Sequence, residues 1–490
     1  MTGLVIAGLV AAALSVSGAE PGRSNAPPSE VLLIDSLGRV VRVPTNEAPR
    51  GLQPPGGLDH QIPEPTRGAQ TPQAIQQRTQ QSRDSAGGLQ WFPSAQPRLM
   101  PYLASNAEFG NTALRPGALI PNTPLDQFPQ QGKYWLSEIG LRYSLRQTAT
   151  FVSMSDVQQG ADTLGFYTLD LAGKWAIFDT REGGTAGWIT FQVEEQSGLG
   201  SAGTHQDAGS NLGTTADPTG FYSSHNGWRV PELGWQQSLC DGQLVLVAGM
   251  ISQGNYFDSN RYAGNGRAGQ FINKALIDTM VVPLPNYNLG GNIQWQPTKE
   301  WYAIIGAEAG SASAGTLPWK EAGINPWTAQ AEFGYAPENL AGMGPGVYRI
   351  QPFIAESDDW LQGGLGFNFQ QQLGQQSPFG WFGRYGFAGS HVAAGAKEQV
   401  GTGFVWQGPF KHLLFQRTSN DYLGLGFVWS QPAATSKTVI HENEYVLETT
   451  YAMQLTPTTK LQPDLQVVWN PTFNPGASAV VFQLQLDLAW

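Results

Sequence analysis

The chain has 490 residues, of which 41% are hydrophobic, 11% aromatic and only 13% charged, whereas a soluble domain carries roughly 25% charged residues. Its mean hydropathy is nevertheless negative because Gln, Asn, Ser, Thr and Gly replace the missing charge, and this excludes a bundle of apolar transmembrane helices. The net charge of -11 disfavours nucleic acid as a partner, and the single Cys240 excludes both a disulfide framework and a multi-cysteine metal site.

The chain begins with an apolar stretch, Leu4 to Val16, which is followed by Ser17-Gly18-Ala19. An apolar run of this length before small residues is typical of a secretory signal peptide. We therefore expect residues 1–19 to be removed. A membrane anchor is the alternative, and in either case the protein leaves the cytoplasm.

Residues 20–132 form an extension rich in Pro and Gln, which includes the stretch TPQAIQQRTQQSRDS. This composition cannot bury enough apolar surface to offset the entropy lost on ordering, so we expect a largely flexible periplasmic segment. Its one apolar stretch, Val31 to Val43 (VLLIDSLGRVVRV), could pair as a hairpin or dock on a partner. Residues 20–98 are therefore a candidate region for binding a periplasmic partner.

From about residue 133 onward, apolar and polar residues alternate with the period of two that is typical of β-strands. Short connectors such as Cys240-Asp241-Gly242 separate some of these segments, and long polar stretches such as Ser197–Asn226 separate others. Candidate strands lie near Thr148–Val157, Leu164–Phe178, Trp188–Glu194, Trp228–Ser238, Gln243–Ile251, Asn288–Trp295, Trp301–Glu308, Thr328–Tyr335, Tyr348–Ala355, Gly363–Gln372, Trp381–Phe387, Glu398–Trp406, Tyr422–Ser430, Tyr445–Leu455, Leu461–Asn470 and Ala479–Trp490.

The last segment shows the alternation most clearly, because Val480 and every second residue to Trp490 are apolar while Gln483, Gln485 and Asp487 lie on the opposite face. A strand of this kind separates two different solvents, and Trp residues at strand ends are typical of the aromatic girdles of membrane barrels. Sixteen strands of ~10 residues, with turns of ~4 and loops of ~20, need roughly 350 residues, about the length of residues 133–490. We therefore predict an all-β protein, a transmembrane antiparallel β-barrel of 16 strands with short periplasmic turns and long extracellular loops. A soluble β-sandwich or propeller is the alternative.

Four stretches of the barrel region resemble the carbohydrate-selective porin (OprB-type) family. They are Glu232–Asn260, Pro283–Glu308, Asp421–Pro432 and Glu442–Pro471, and the last is the most specific, with E-x-x-x-E-x-x-Y followed by LQPDLQ and Asn-Pro. The resemblance implies a 16-stranded barrel in the outer membrane of a Gram-negative bacterium, through which sugars such as glucose diffuse. It also implies a constriction lined by Arg and Glu.

Six charged residues are candidates for that constriction. By strand parity Glu232, Glu332, Glu444 and Glu448 face the lumen, and Arg384 does so if Phe382 does. Arg142 lies either on a strand or on a short helix within Trp135–Leu145, and the resemblance favours the helix. Carboxylates accept hydrogen bonds from sugar hydroxyls and Arg donates them, but such charges can also form lumen ladders away from the narrowest point.

Motifs for other chemistry are weak. The match to G-x-G-x-x-G at Gly264–Gly269 follows a polar stretch, not a buried strand, so we read it as a loop. We therefore predict no catalytic residue, metal or cofactor. We expect outer-membrane lipid, permeating sugars and the assembly machinery, which would read the strand ending in Trp490, as partners. The alternative functions are a polysaccharide exporter, a barrel enzyme or a structural barrel that engages periplasmic partners through residues 20–98.

Overall fold

The computed structural model describes residues 30–34, 40–44, 120, 136, 139–180, 185–199, 207–220, 227–264, 270–285, 287–310, 326–357, 360–392, 394–409, 421–434 and 438–490. The chain divides into two units, Met1–Ile75 and Gln76–Trp490. The signal peptide and most of the Pro- and Gln-rich extension lie outside the described residues.

The first unit contains a hairpin of β1 (Glu30–Ile34) and β2 (Val40–Pro44), which pair antiparallel with Val31 opposite Val43. Of the two possibilities that the apolar stretch offered, pairing as a hairpin is thus the one present in the structure.

The second unit contains a closed antiparallel barrel of sixteen strands, in which each strand pairs with its neighbours in sequence. This confirms the predicted fold class and strand number. The strands are β3 (Leu141–Met154), β4 (Thr163–Thr180), β5 (Thr185–Gly198), β6 (Gly227–Leu239), β7 (Leu244–Ile251), β8 (Asn288–Trp295), β9 (Trp301–Ala309), β10 (Trp327–Tyr335), β11 (Gly346–Ser357), β12 (Trp360–Gln372), β13 (Phe379–Ala388), β14 (Ala396–Gln407), β15 (Tyr422–Pro432), β16 (Glu444–Gln454), β17 (Thr459–Trp469) and β18 (Ser478–Ala489).

Helix is scarce among the described residues of the barrel unit. Two short helices are α1 (Ala208–Leu212) and α2 (Lys274–Ile277), Leu136 is also helical, and 3₁₀ turns occur at Cys240–Gly242 and Gln253–Asn255. In the part of the chain that the structure describes, no helix has the length and apolar character needed to cross a membrane.

The barrel closes between its last and first strands. Leu484 of β18 lies opposite Phe151 of β3. Beyond the end of β18, Trp490 and Leu145 exchange a reciprocal pair of backbone hydrogen bonds of 2.9 and 3.0 Å. Closure leaves no strand edge, so every backbone group in the wall has a partner strand, as a membrane-spanning sheet requires.

The two faces of the wall differ as the alternation predicts. Along β18 the side chains of Val480, Phe482 and Leu484 are 38–44% exposed, whereas Gln483 and Gln485 between and beyond them are buried. Exposed Trp side chains lie at or near strand ends, as expected for girdles at the membrane interfaces. They include Trp228, Trp295, Trp301 and Trp469.

The connections alternate between two rims of the barrel. Residues 240–243, 296–300 and 455–458 belong to one rim, which we call the short-turn rim. The connections from β5 to β6, from β7 to β8 and from β9 to β10 start and end at the other rim, the loop rim. Strand β3 starts at Leu141 on the short-turn rim, seven residues earlier than predicted, because its ladder with β4 continues to the pair of Leu141 and Trp175.

Candidate functional site: two inward segments and their wall contacts

The long connection between β7 and β8 contacts the inner face of the barrel. We call residues 252–264 and 270–285 of this connection the second inward segment. It bonds to Glu232 on β6, Glu332 on β10, Arg384 on β13 and Glu448 on β16. One segment can reach lumen-facing side chains of strands so far apart only from inside the barrel.

The connection between β5 and β6 supplies the first inward segment, residues 207–220. Its helix α1 starts at Asp207, whose carboxylate accepts a hydrogen bond from the backbone N–H of Ser210, as an N-cap does. The carbonyl of Pro218 accepts hydrogen bonds from Gln466 of β17 at 3.0 Å and from Gln483 of β18 at 2.6 Å. This segment therefore lies against the wall near β16–β18.

The two inward segments also contact each other. The backbone N–H of Lys274 donates to the carbonyl of Asp217 at 2.9 Å. A Cβ atom at Gly220 would lie 2.2 Å from the carbonyl oxygen of Ile272, so a side chain at this position would push the segments apart. Together the segments form one continuous internal layer.

An apolar core joins the second inward segment to the wall. The ring of Phe271 packs against Phe382 of β13 and Tyr422 of β15, with centroid separations of 5.3 and 6.0 Å. Two glycines on β15 make room for it: a Cβ at Gly424 would lie 2.7 Å from the ring of Phe271. At Gly426 the same atom would lie 2.6 Å from a methyl of Leu276. The inner wall from β11 to β17 is thus covered by packed side chains.

The first two predicted site residues, Glu232 and Glu332, are both buried and both bind the second inward segment. Glu232 accepts hydrogen bonds from Asn255 Nδ2 and from the Tyr256 hydroxyl, each at 2.9 Å. Glu332 accepts one at 2.9 Å from the backbone N–H of Asp258 and one at 2.8 Å from the Tyr302 hydroxyl on β9.

A third predicted residue, Arg384, faces the lumen as parity requires and forms a buried ion pair. Its Nε lies 3.0 and 3.1 Å from the two carboxylate oxygens of Asp258. Its Nη2 donates to the carbonyl of the same residue at 3.0 Å, and its Nη1 donates to the carbonyl of Leu276. Arg384 therefore holds two points of the second inward segment at once.

The remaining predicted carboxylates lie four residues apart on β16 and bind different segments. Glu444 accepts hydrogen bonds from the backbone N–H groups of Thr215, Ala216 and Thr472, at 3.2, 2.9 and 2.8 Å. Glu448 accepts them from the N–H groups of Ile272 and Asn273, at 2.6 and 2.9 Å. Backbone donors satisfy each buried carboxylate, which offsets part of the cost of burying its charge.

Arg142 lies apart from these five residues. It is exposed, and it lies on β3 at the short-turn rim, opposite Lys174 of β4. The helix that the resemblance favours for Trp135–Leu145 is therefore wrong at Arg142, because the ladder with β4 already includes Leu141.

Sequence reasoning missed several lumen-facing groups. Arg349 on β11 lies beside the hydrogen-bonded pair of Tyr302 and Glu332. Its Nε is 2.8 Å from the Tyr302 hydroxyl and 3.5 Å from Glu332 Oε1. Asp258 belongs to the polar stretch before Gly264, which reads as an ordinary loop. For Arg349, strand parity was the available signal. For Asp258 no sequence signal marks its partners.

The inner wall of β3–β6 carries charges of both signs. Lys174 Nζ donates to Gln236 Oε1 at 2.7 Å, and Arg229 forms an ion pair with Glu194. Near the barrel seam Arg146 lies 3.7 Å from Asp487. Both signs of charge therefore meet on this side of the lumen, as they also do at Arg349 and Arg384 on β11 and β13.

Two acidic groups of the inward segments lie outside the spanning strands. Burial raises the pKa of Asp217, against the lowering effect of hydrogen bonds from Thr219. Burial also raises the pKa of Asp278, and Lys274 opposes this shift.

Among the described residues, no group of three or more His, Cys, Asp or Glu side chains is arranged to hold a metal ion.

A closed barrel of sixteen strands with a long connection folded against its inner wall defines a channel protein of the porin class. The chain belongs to the carbohydrate-selective porin, OprB family, whose model matches residues 183–362 and 359–489. Membership implies a channel, and it implies residence in the outer membrane of Gram-negative bacteria.

The chain is similar to several solved structures, and the first of these supports the fold. The high-pH structure of Pseudomonas putida OprB aligns with a TM-score of 0.60 at 14% identity, over 74% of this chain and 97% of that chain. The low-pH structure of the same protein has a TM-score of 0.47 at 15% identity, with the same coverage. A mutant of the Rh. blastica porin has a TM-score of 0.43 at 7% identity, over 71% of this chain and 100% of that chain. No curated protein sequence matches the chain.

Proposed function

We propose that the protein is a passive porin for neutral carbohydrates, with the second inward segment as its constriction. The observation that carries the proposal is the attachment of this segment to β6, β10, β13 and β16 by buried Glu and Arg side chains. A segment anchored at so many points keeps a fixed cross-section, and a fixed cross-section selects permeants by size.

The inner wall supports a neutral permeant. Several of its charges form ion pairs, as Arg229 does with Glu194 and Arg349 with Glu332, whereas backbone donors satisfy Glu444 and Glu448. Amide side chains supplement them, including Gln236, Asn292 and Gln294 on β6 and β8. Paired charges and uncharged amides leave this wall polar without a strong field of one sign, and such a wall favours a neutral permeant over an ion.

The six predicted residues have three proposed roles. Glu232, Glu332, Arg384 and Glu448 hold the second inward segment in the lumen, and Glu444 holds the first. Arg142 lies at the mouth on the short-turn rim, which we assign to the periplasm because short turns face that side in bacterial outer-membrane barrels. We further propose that the strand ending in Trp490 is read by the assembly machinery, and that residues 20–98 engage a periplasmic partner.

Liposome swelling tests the proposal directly. Purified protein is reconstituted into proteoliposomes, and the swelling rate is compared for glucose, for a trisaccharide and for gluconate, which adds a negative charge. We expect rates to fall with sugar size and glucose to enter faster than gluconate. Swelling no faster than in protein-free liposomes would refute the proposed function.

A pair of variants tests the constriction in planar bilayers. Glu332→Gln removes the counter-charge of buried Arg349, and Glu398→Gln is the matched control, because Glu398 lies on the exposed outer side, where Tyr385 donates to it. We expect glucose to reduce the ion current of the wild-type channel. In Glu332→Gln the half-blocking glucose concentration should change severalfold and selectivity should shift towards anions. Identical behaviour of the two variants would place Glu332 outside the constriction.

A further inference from the structure

Asp258 has an unusual place in the second inward segment. It lies on the outgoing arm of the segment, beside β10–β13, it is 3% exposed, and its backbone has a φ of 55°. Left-handed backbone is uncommon for residues other than glycine, although Asp and Asn tolerate it best. A carboxylate is therefore kept at a strained and buried position.

Every polar group of Asp258 has a partner. Its carboxylate accepts hydrogen bonds from Arg384 Nε, from Asn368 Nδ2 at 2.6 Å and from the backbone N–H of Thr279 at 2.5 Å. Its carbonyl accepts from Arg384 Nη2 at 3.0 Å and from Asn368 Nδ2 at 3.1 Å. Its N–H donates to Glu332 at 2.9 Å.

These bonds join four different parts of the molecule. Glu332, Asn368 and Arg384 belong to β10, β12 and β13 of the wall, whereas Thr279 belongs to the returning arm of the same inward segment, 21 residues further on. Asp258 thus ties the outgoing arm of the segment to its returning arm and ties both to the wall.

We propose that Asp258 is the positioning residue of the constriction, fixing how far the second inward segment extends from β10–β13 into the lumen. This inference rests on one part of the proposed function, namely that the second inward segment narrows the channel. Asp258 acts through the segment that it holds, and no contact between Asp258 and the permeant is required. Loss of the carboxylate charge removes the ion-pair partner of the buried Arg384 guanidinium and weakens the hydrogen bonds that join the two arms.

The test compares Asp258→Asn with Asp156→Asn. Asp156 is the matched control because it too is an Asp with a positive φ, of 52°, and it lies in the exposed connection between β3 and β4. Asn tolerates left-handed backbone as well as Asp does, so neither variant adds backbone strain. In KCl, Asp258→Asn should raise single-channel conductance by roughly twofold or more, with larger current noise, because the outgoing arm around residue 258 is no longer fixed to β10–β13 and narrows the pore less. Asp156→Asn should conduct like the wild type.

A reversible tether separates positioning from general damage to the fold. The side chains of Asn260 and Asn368 hydrogen-bond at 2.8 Å, so Asn260→Cys with Asn368→Cys can link the segment to β12 once Cys240 is replaced by Ser. In the Asp258→Asn background, the oxidised tether should restore wild-type conductance and a reductant should raise it again. If Asp258→Asn alone does not assemble, the tethered protein is assembled oxidised and compared before and after reduction.

The outcomes separate the two proposals. Folded Asp258→Asn with wild-type conductance, or a high conductance that the oxidised tether does not lower, would overturn the role of Asp258. A wild-type channel that conducts ions but admits no sugar would leave the role of Asp258 intact and refute the sugar porin.

Discussion

Removal of the Glu444 carboxylate is expected to release the first inward segment while the barrel stays closed. Glu444 is completely buried and accepts hydrogen bonds from three backbone N–H groups and from the hydroxyls of Thr215 and Thr472. Glu444→Ala leaves all five donors without this acceptor. The strand ladders of β16 with its neighbours use backbone groups only, so they survive the substitution.

The expected magnitude follows from those bonds. A hydrogen bond to a charged group contributes about 1.5–3 kcal/mol net. Two effects reduce the loss. Water that enters the space left by the side chain replaces some of the hydrogen bonds, and the variant no longer has the cost of burying a charge. We therefore expect the free energy of local opening to fall by about 3 kcal/mol, which is less than the summed contributions of the individual hydrogen bonds. Since about 1.4 kcal/mol corresponds to a factor of ten, amide exchange at these positions should become roughly 10²-fold faster.

Hydrogen exchange followed by mass spectrometry measures this effect. Peptides that contain Thr215, Ala216 and Thr472 report the affected amides, and peptides from β9 and β10 report the barrel. Glu442→Ala is the control, because Glu442 is exposed and lies two residues before Glu444, in the connection that leads into β16. Unchanged protection of the first inward segment in Glu444→Ala, or an equal loss in Glu442→Ala, would refute the reasoning.

Three further predictions concern the apolar core, the outer face and pH. Phe271 has a fully buried ring. Phe271→Ala should therefore lower the free energy of local opening of residues 270–285 by about 3–5 kcal/mol, the usual cost of removing a buried aromatic ring. Unchanged amide exchange in these residues would contradict the packing described. Ile305→Lys, at a side chain 59% exposed in the middle of β9, should cost about 2–4 kcal/mol of folding free energy in lipid vesicles, measured by urea titration, if that side faces lipid; a cost near zero would contradict it. Burial raises the pKa of Asp278, so its contribution to stability is present below its unfolded pKa and is lost as pH rises through the folded value. Asp278→Asn should therefore flatten the pH dependence of the thermal unfolding midpoint on the acid side, and an unaltered dependence would refute the assignment.

The barrel could be predicted from the sequence because its signal is local and repeated. The alternation along β18 assigns each residue to one face without knowledge of any distant partner, and the chain length then limits the number of strands. The inward orientation of Glu232, Glu332, Glu444 and Glu448 followed from the same parity and is found in the structure.

The partners of these residues could not be predicted, because the contacts join distant parts of the chain. Glu448 binds Ile272, 176 residues away, and Glu444 binds Thr215, 229 residues away. The first inward segment reads as an ordinary polar loop, and so do residues 252–264 of the second. The glycines at 424 and 426, on the inner face of β15, and the apolar residues between 271 and 282 are local signs of packing, but neither sign identifies the partner.

The apolar core inside the barrel also limits how the channel can gate. Nine residues of the second inward segment belong to this core, and seven of them are larger than alanine, among them Phe271, Leu276 and Val281. At about 1.5–3 kcal/mol for each large side chain, transferring them to water would cost more than about 10 kcal/mol. Withdrawal of the segment is therefore a partial unfolding event, with the low population and slow rate of such events, and not the swing of a hinged flap. During the time that one molecule takes to pass through the channel, the cross-section of the lumen is therefore fixed. Any rapid change in current has to arise from motions of side chains or of the outer loops.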